Sequence, residues 1–406
     1  MVGRLILFLS LPSALLALVP ALTPPMGWNT WCTDGSCGRD YCDAKEIMSI
    51  ADAMETNGMK DAGYEYINLD DCWADHRDQN GTIVPDMNRF PSGLMPVINY
   101  VHSKGFKFGL YTDGGIHTCS SGERPYKIPG SYGHYEQDAF TYAKWGVDYV
   151  KMDWCNTEFN GTKLDPHKQY AEMSAALDNT TKEFFFNSCE WGVDNPWEWM
   201  WQYANSWRSG PDHHDSWDST ERIIEHNVGL GKYAGPTKGW NDLDFIMTGG
   251  QGCKDDHSKI CPGQTDVEYR SEFSMWVIMA SPLLVVTDIR NMTELQKEIL
   301  LNAEMISVHQ DKLGKAGDRV GGWDCSEGKE RCQIWAKPLN DGSVAVALFN
   351  SGKEAHDITL DFKVIGMEDA VMMRDLWQHK DLGKFENSFT INVASHGAEV
   401  YKITKA

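Results

Sequence analysis

The amino-acid sequence predicts a (β/α)8 TIM barrel followed by an antiparallel β-sandwich, and a repeated pattern supports the first part. Three segments, 63–70, 105–113 and 146–153, each run from a glycine through a hydrophobic strand to an aspartate. A glycine just past a helix is a common helix stop, and a short run of aromatic and β-branched residues is typical of a buried strand. Repeated strand–helix units build a parallel sheet, and a barrel carries its active site where its strands end. Each copy has an acid at that position.

The other predicted barrel strands are 26–29, 184–189, 205–208, 243–247 and 283–287. Together with the three repeats they make eight strands, the number that closes a barrel of this class.

After about residue 315 the pattern changes to short strands without helices between them, at 333–336, 343–349, 357–360 and 398–403. Short strands joined by tight turns are typical of an antiparallel sandwich. We therefore expect a barrel domain over residues 22–314 and a sandwich domain over residues 315–406.

The N-terminus has the pattern of a signal peptide over residues 1–21. Arg4 precedes an apolar stretch over residues 5–18, and residues 19–21 offer a cleavage site. A membrane anchor is the alternative, but two prolines interrupt the segment and it is short for a span. We expect secretion, or delivery to a vacuole-like or lysosome-like compartment, without a membrane anchor.

The net charge of −21 argues against a nucleic-acid surface, which requires a basic face. Eleven cysteines agree with an oxidising compartment. Four sequons permit N-glycans, at Asn80, Asn160, Asn179 and Asn291.

Cysteine spacing alone leaves the disulfide connectivity open. Two pairs enclose short loops, Cys253 with Cys261 and Cys325 with Cys332, and three further cysteines lie close together, Cys32, Cys37 and Cys42. The odd count leaves at least one thiol unpaired, and we expect this to be Cys189.

Two acids at the predicted strand ends can carry out chemistry together. Asp153 follows Lys151 by two residues, so both side chains point to the same side of the strand, and the lysine favours the ionised carboxylate that a nucleophile needs. Asp212 lies in a loop after another strand. Two carboxylates facing one pocket are the minimum apparatus of glycoside hydrolysis. Alternatively, such aspartates cap helices or pair with basic residues.

Eight segments of the chain carry a resemblance to a known family: 22–31, 68–73, 109–113, 149–153, 188–192, 212–217, 239–244 and 279–283. In these segments, and in the order of its two predicted domains, the chain resembles glycoside hydrolase family 27, the melibiase-type α-galactosidases and α-N-acetylgalactosaminidases. The resemblance implies a retaining exo-glycosidase that removes terminal α-D-galactosyl residues by double displacement. Asp153 would be the nucleophile that forms the galactosyl-enzyme, and Asp212 the acid/base.

The resemblance also implies a galactose pocket. Asp70 and Asp71 would bind the 6- and 4-hydroxyls, Lys151 the 3- and 4-hydroxyls, and Arg208 the side of the 2-hydroxyl. The pocket would further include Trp31, Tyr111 and Asp244. The expected substrates are α-galactoside oligosaccharides, polysaccharides or glycolipids. We expect no cofactor and no metal, because His213 and His214 have no evident third ligand, and we leave a homodimer open.

Glu190 would distinguish between sugars. In the family a glutamate at this position accompanies recognition of a free 2-hydroxyl, whereas smaller residues admit an acetamide. We therefore favour an α-galactosidase over an α-N-acetylgalactosaminidase or a β-L-arabinopyranosidase. The alternative for Glu190 is that it only supports its loop. From a different class of protein, an inactive galactose-binding protein is the alternative function.

The resemblance pairs Cys119 with Cys155, bracing the loop beside Asp153. We also expect Cys37 to pair with Cys72 and Cys32 with Cys42. The segment 249–264 resembles an insertion that narrows the site or selects the leaving group.

Overall fold

The computed structural model describes residues 22–31, 41–122, 127–250, 261–325, 329 and 331–406. Its first sheet consists of β1 Met26–Asn29, β2 Tyr66–Leu69, β3 Lys107–Asp113, β4 Tyr149–Asp153, β5 Phe185–Cys189, β6 Ser206–Arg208, β7 Trp240–Asp242 and β8 Leu283–Val285. Neighbouring strands are parallel, in the order β7-β6-β5-β4-β3-β2-β1-β8. A parallel bridge between Ile246 and Val285 joins the two ends of the sheet. The predicted TIM barrel is confirmed.

The helices are α1 Ala44–Thr56, α2 Met95–Ser103, α3 Tyr135–Trp145, α4 Pro166–Asp178, α5 Pro196–Trp199, α6 Trp217–His226, α7 Asp266–Met279, α8 Glu294–Leu300 and α9 Ala303–His309. Two small antiparallel pairs interrupt the barrel loops, Ala74–Arg77 with Ile83–Pro85 and Glu158–Phe159 with Thr162–Lys163. Among the residues that the structure describes, none of these helices is long and apolar enough to cross a bilayer.

Backbone conformation explains why the repeated glycines predict the barrel so well. Gly63, Gly105 and Gly146 precede β2, β3 and β4 with φ values of +96°, +83° and +91°. Glycine adopts this left-handed conformation without a steric penalty and can therefore turn the chain from helix to strand.

One predicted strand is wrong. The seventh strand spans Trp240–Asp242 and not residues 243–247. Asp244 has a φ of +80°, so the chain leaves the extended conformation directly after β7. Pairing resumes at Ile246, whose N–H donates to Leu284 O at 2.8 Å. The other seven predicted strands are confirmed, with ends that differ by a few residues.

The N-terminal end of the barrel is occupied by charges that pair with one another. A cavity of about 490 Å³ opens there, lined in part by Tyr66, Lys107 and Asp148. Lys182 lies 2.9 Å from Asp148, and Lys107 contacts Glu65 at 2.6 Å. The strand-end acids lie at the opposite end, as expected of a barrel enzyme.

The second region contains β9 Asp318–Trp323, β10 Cys332–Pro338, β11 Val344–Asn350, β12 His356–Asp361, β13 Val371–Asp375, β14 Lys380–Phe385, β15 Ser388–Val393 and β16 Ala398–Lys405. An antiparallel sheet in the order β9-β10-β11-β16-β13-β14 faces the pair β12-β15. Ile334, Leu348, Ile358 and Val393 belong to one buried cluster between the sheets. The predicted β-sandwich is confirmed.

Helix α7 joins the two regions. All its residues from Ser271 to Met279 are buried. Ser271 Oγ donates to His396 O at 2.6 Å, and Trp377 Nε1 donates to Ser274 Oγ at 3.1 Å. The helix is therefore enclosed by the barrel on one side and by the sandwich on the other.

Disulfides join Cys119 to Cys155 and Cys325 to Cys332, which confirms these predictions. A third disulfide joins Cys42 to Cys72, so the predicted pairs Cys37–Cys72 and Cys32–Cys42 are wrong. Cys42 precedes α1 and Cys72 follows β2, and their Cα atoms lie 6.1 Å apart, within disulfide reach. Cys261 is also disulfide-bonded. The predicted partners Cys32, Cys37 and Cys253 lie outside the described residues.

Candidate active site

Asp153 ends β4 and is 6% exposed. Its Oδ1 accepts a hydrogen bond from Trp154 N at 2.9 Å. Burial raises the pKa of Asp153 to about 7, although the nearby Lys151 ammonium opposes the shift. The lysine acts in the direction that the sequence predicts, but burial outweighs it.

Lys151 lies at the centre of the pocket. Its Nζ is 3.0 Å from Asp70 Oδ2 and 3.3 Å from Asp70 Oδ1. The same ammonium lies over three aromatic rings, 5.3 Å from Trp31, 5.3 Å from Tyr111 and 5.0 Å from Phe245. The pocket thus combines an ion pair with apolar ring surfaces, which suits a sugar with one polar and one apolar face.

Phe245 was not predicted as a pocket residue. It directly follows Asp244, the last residue of a matching segment, and an aromatic residue after a barrel strand is the signal that could have identified it.

The paired acids Asp70 and Asp71 have different environments. Asp70 Oδ2 accepts from Asn29 Nδ2 at 3.1 Å, inside the barrel mouth. Asp71 Oδ2 accepts from Ser120 N at 2.8 Å, in the loop closed by the Cys119–Cys155 disulfide. Burial raises the pKa of Asp71. Asp70 therefore belongs with Lys151, and Asp71 connects the pocket to the neighbouring loop.

Arg208 brings two acids together at the other side of the pocket. Its Nη2 lies 3.1 Å from Asp212 Oδ1 and 3.0 Å from Asp244 Oδ2. The side chains of Arg208 and Asp244 are nearly inaccessible, whereas that of Asp212 is 51% exposed. Burial raises the pKa of Asp244 to about 6. Although burial alone would raise the pKa of Asp212, the charge of Arg208 lowers it.

The two proposed catalytic carboxylates interact electrostatically. The charge of Asp212 contributes to the raised pKa of Asp153. Two interacting acids release their protons in two steps that belong to the pair. Between those steps the pair holds one proton, which is the protonation state that a nucleophile and an acid require together.

Glu190 and Cys189 lie at the end of β5. Glu190 is fully buried, its Oε1 accepts from Asp194 N at 3.3 Å, and burial raises its pKa to about 7. Its Oε2 has no hydrogen-bond partner among the described residues. Cys189 is a buried free thiol whose Sγ lies 3.6 Å from Arg208 Nη1. Cys189 was predicted to be unpaired, but its position beside Arg208 was not predicted.

Asp113 was a strand-end acid in the repeat but not a predicted site residue. It is fully buried, and it accepts hydrogen bonds from Gly115 N at 2.7 Å and Cys155 N at 3.0 Å. The first bond holds the turn after β3, and the second holds the start of the loop that follows the proposed nucleophile Asp153.

Two groups that could suggest a metal are otherwise engaged. Possible ligand atoms of Asp113, Cys119 and Cys155 lie within 4.8 Å of one another, but the two sulfurs form a disulfide and are not thiolates. The buried ring of His213 contacts Phe245 O at 2.9 Å and Thr220 Oγ1 at 3.0 Å.

The chain matches the model of the alpha galactosidase A family over residues 23–311, and the alpha galactosidase C-terminal β-sandwich domain over residues 329–403. The chain belongs to this family.

Individual relatives agree. The chain is 40% identical to an alpha-galactosidase of Cyamopsis tetragonoloba, covering 94% of this chain and 86% of that protein. It is 39% identical to alpha-galactosidase A of Cellvibrio japonicus, covering 99% of each chain. The crystal structure of alpha-galactosidase I from Mortierella vinacea superimposes with a TM-score of 0.84 at 31% identity, covering 95% of this chain and 98% of that one.

Proposed function

We propose that the protein hydrolyses terminal α-D-galactosyl residues of oligosaccharides or glycoconjugates with retention of configuration. The observation that carries the proposal is one pocket in which Asp153 and Asp212 interact while Lys151 and Arg208 each hold a further acid. Family membership supports the same reaction.

The reaction proceeds in two displacements. In the first, the Asp153 carboxylate attacks the anomeric carbon, the glycosidic C–O bond breaks, and Asp212 gives its proton to the leaving oxygen. In the second, Asp212 takes a proton from water, and the water oxygen displaces Asp153 from the anomeric carbon. The second step returns the proton to Asp212 and the negative charge to Asp153.

The proton shared by Asp153 and Asp212 has a different position in the free pocket than in the complex that reacts. Burial raises the pKa of Asp153, whereas Arg208 lowers that of Asp212. The mechanism needs the proton on Asp212 when the galactoside is bound. We propose that the sugar draws Arg208 away from Asp212 through its 2-hydroxyl side, which moves the proton toward the acid/base.

This arrangement predicts a bell-shaped dependence of kcat/KM on pH. Activity should fall as pH rises through about 7, where the pair loses its only proton. It should also fall at low pH, below the ordinary range of an aspartate, where both carboxyls become protonated. Initial rates on p-nitrophenyl α-D-galactoside from pH 3 to 9 test this profile. Constant activity from pH 6 to 9 would contradict the shared proton.

The sugar-binding roles complete the proposal. We propose that Asp70 and Lys151 bind the hydroxyls that distinguish galactose, with Asp71, Trp31, Tyr111 and Asp244 completing the pocket. Burial of the Asp70–Lys151 ion pair, with side chains 1% and 9% exposed, supports this role. A buried polar pair rejects a sugar that leaves it unpaired.

We propose that Glu190 favours a free 2-hydroxyl over an acetamide, because its buried Oε2 is left without a partner. Glu190→Ser should lower kcat/KM for p-nitrophenyl α-D-galactoside relative to the α-N-acetylgalactosaminide by ~10-fold or more. The measurement is the ratio of the two kcat/KM values in the variant and the wild type. Equal losses on both substrates would assign Glu190 to loop support through Asp194.

Targeting and modification belong to the same proposal. We propose that residues 1–21 are a signal peptide and that the mature chain is glycosylated. All four sequon asparagines, Asn80, Asn160, Asn179 and Asn291, are exposed, which supports access for a glycan.

A further inference from the structure

His213 directly follows the proposed acid/base Asp212, yet its side chain is fully buried. Its backbone N–H donates to Asp244 Oδ2 at 2.7 Å. Its ring places Nδ1 2.9 Å from Phe245 O and Nε2 3.0 Å from Thr220 Oγ1. Three contacts therefore fix the residue beside Asp212.

A chain of polar contacts continues from this ring into α7. Thr220 Oγ1 lies 2.7 Å from Gln264 Oε1, and Gln264 Nε2 lies 3.4 Å from Glu272 Oε1. Glu272 is fully buried and also accepts from Met247 N at 3.0 Å. The chain thus runs from the acid/base loop through α6 to α7.

Hydrogen-bond directions permit two proton arrangements. Phe245 O can only accept, so Nδ1 of His213 carries a hydrogen. If the imidazole is neutral, Thr220 donates to Nε2. A half-turn of the Gln264 amide then gives its N–H to Thr220, and Glu272 donates a carboxyl O–H to the amide oxygen. If His213 is instead a cation, Thr220 donates to Gln264, and Glu272 is its anion at 3.6 Å.

Burial favours the neutral arrangement. It lowers the pKa of His213 to about 3 and raises that of Glu272 to about 8. A fully buried ion pair loses the solvation of both charges. The charged groups facing the pair act in the same direction: His214, Arg208 and Arg222 oppose a cation at His213, and Asp215 opposes an anion at Glu272.

We propose that His213 is a positioning residue for Asp212, held by a series of hydrogen bonds through Thr220 and Gln264 to Glu272. The inference rests on the proposed role of Asp212. Gln264 is the last residue of the segment 249–264. The series of hydrogen bonds therefore also connects the end of this segment to the acid/base loop. Gly263 N donates to Asp215 O at 2.8 Å and strengthens that connection.

Thr220→Val tests the positioning role, because valine keeps the shape of threonine but removes the hydroxyl. The leaving sugar of melibiose needs a proton from Asp212, whereas the fluoride of α-D-galactosyl fluoride needs little assistance. We expect kcat/KM to fall ~10-fold or more on melibiose and less than ~3-fold on the fluoride. Equal losses on both substrates, or no loss on either, would overturn the proposal.

Thr287→Val is the matched control for this variant. Thr287 is 3% exposed and its hydroxyl donates to Thr248 O at 2.9 Å, without contacting His213. It should leave the ratio of the two activities unchanged. Thermal unfolding of both variants verifies that they fold.

Glu272→Gln tests the uncharged state by stability. A carboxyl whose pKa is raised from 4.5 to about 8 keeps its proton in the folded protein while the unfolded chain loses it. The wild type therefore loses stability as pH rises from 5 to 8, and the variant is spared this loss. We expect the variant's Tm, relative to the wild type, to rise across this range. If the Tm of the variant relative to the wild type does not rise, and the variant is less stable at every pH, His213 and Glu272 form an ion pair. That result would overturn the uncharged arrangement.

These outcomes are separable from the proposed function. If Asp212→Ala keeps its activity on melibiose, the role of Asp212 fails. If Asp212→Ala is inactive on melibiose and Thr220→Val does not discriminate between substrates, only the positioning role of His213 fails.

Discussion

Asp153→Asn is expected to reduce turnover of α-galactosides by roughly 10⁴-fold or more while the protein remains folded. Asparagine has nearly the same shape and can still accept the hydrogen bond from Trp154 N, which is 2.9 Å from Oδ1. It cannot form the ester intermediate, because its amide is a poor nucleophile. The measurement is kcat/KM on p-nitrophenyl α-D-galactoside, together with thermal unfolding.

Asp375→Asn is the matched control for this variant. Asp375 is 2% exposed and accepts hydrogen bonds from two backbone N–H groups, but it lies on β13 of the sandwich. Its substitution should leave kcat/KM unchanged. Near-normal turnover by Asp153→Asn would contradict the assignment of the nucleophile.

Asp212→Ala is expected to lose ~10²–10⁴-fold in kcat/KM on melibiose and far less on α-D-galactosyl fluoride, because fluoride leaves without a proton. Added azide should then trap the galactosyl-enzyme and give α-galactosyl azide. With Asp153→Ala, azide attacks from the opposite face and should give β-galactosyl azide. NMR of the azide products distinguishes the two configurations.

Asp218→Ala, which removes an exposed acid from the neighbouring α6, serves as the control and should behave as the wild type. If the azide products of the Asp212 and Asp153 variants had the same configuration, the division of roles between the two carboxylates would be wrong.

The barrel could be predicted because its signals are local. Each repeat can be recognised within ten residues, from a glycine, a short hydrophobic strand and an acid. The structure gives Gly63, Gly105 and Gly146 the positive φ that such a glycine permits. The seventh strand was predicted wrongly because its position depends on residues that are distant in the sequence. The positive φ of Asp244, which is not a glycine, is held by contacts with the distant residues Arg208 and His213.

The sequence also predicted that several of these side chains lie close together, as the structure shows for Lys151 with Asp70 and for Arg208 with Asp212 and Asp244, but it did not predict their protonation. The sequence shows Lys151 beside Asp153 and predicts a lowered pKa. The depth of burial and the approach of Asp212 are products of the whole fold, and together they reverse the direction of the shift. The same limit applies to Cys42, whose partner depends on where α1 and β2 lie in space.

Helix α7 has a consequence for the independence of the two regions. From Ser271 to Met279 it has no face for water, since barrel and sandwich each cover part of it. A helix with no exposed face over this length belongs to an interior. The sequence pattern changes near residue 315, yet α7, which precedes this change, is buried in part against the sandwich. The surface that the sandwich presents to this helix is therefore also part of the packing of the barrel, and a change of side-chain volume on either side must be accommodated by the other.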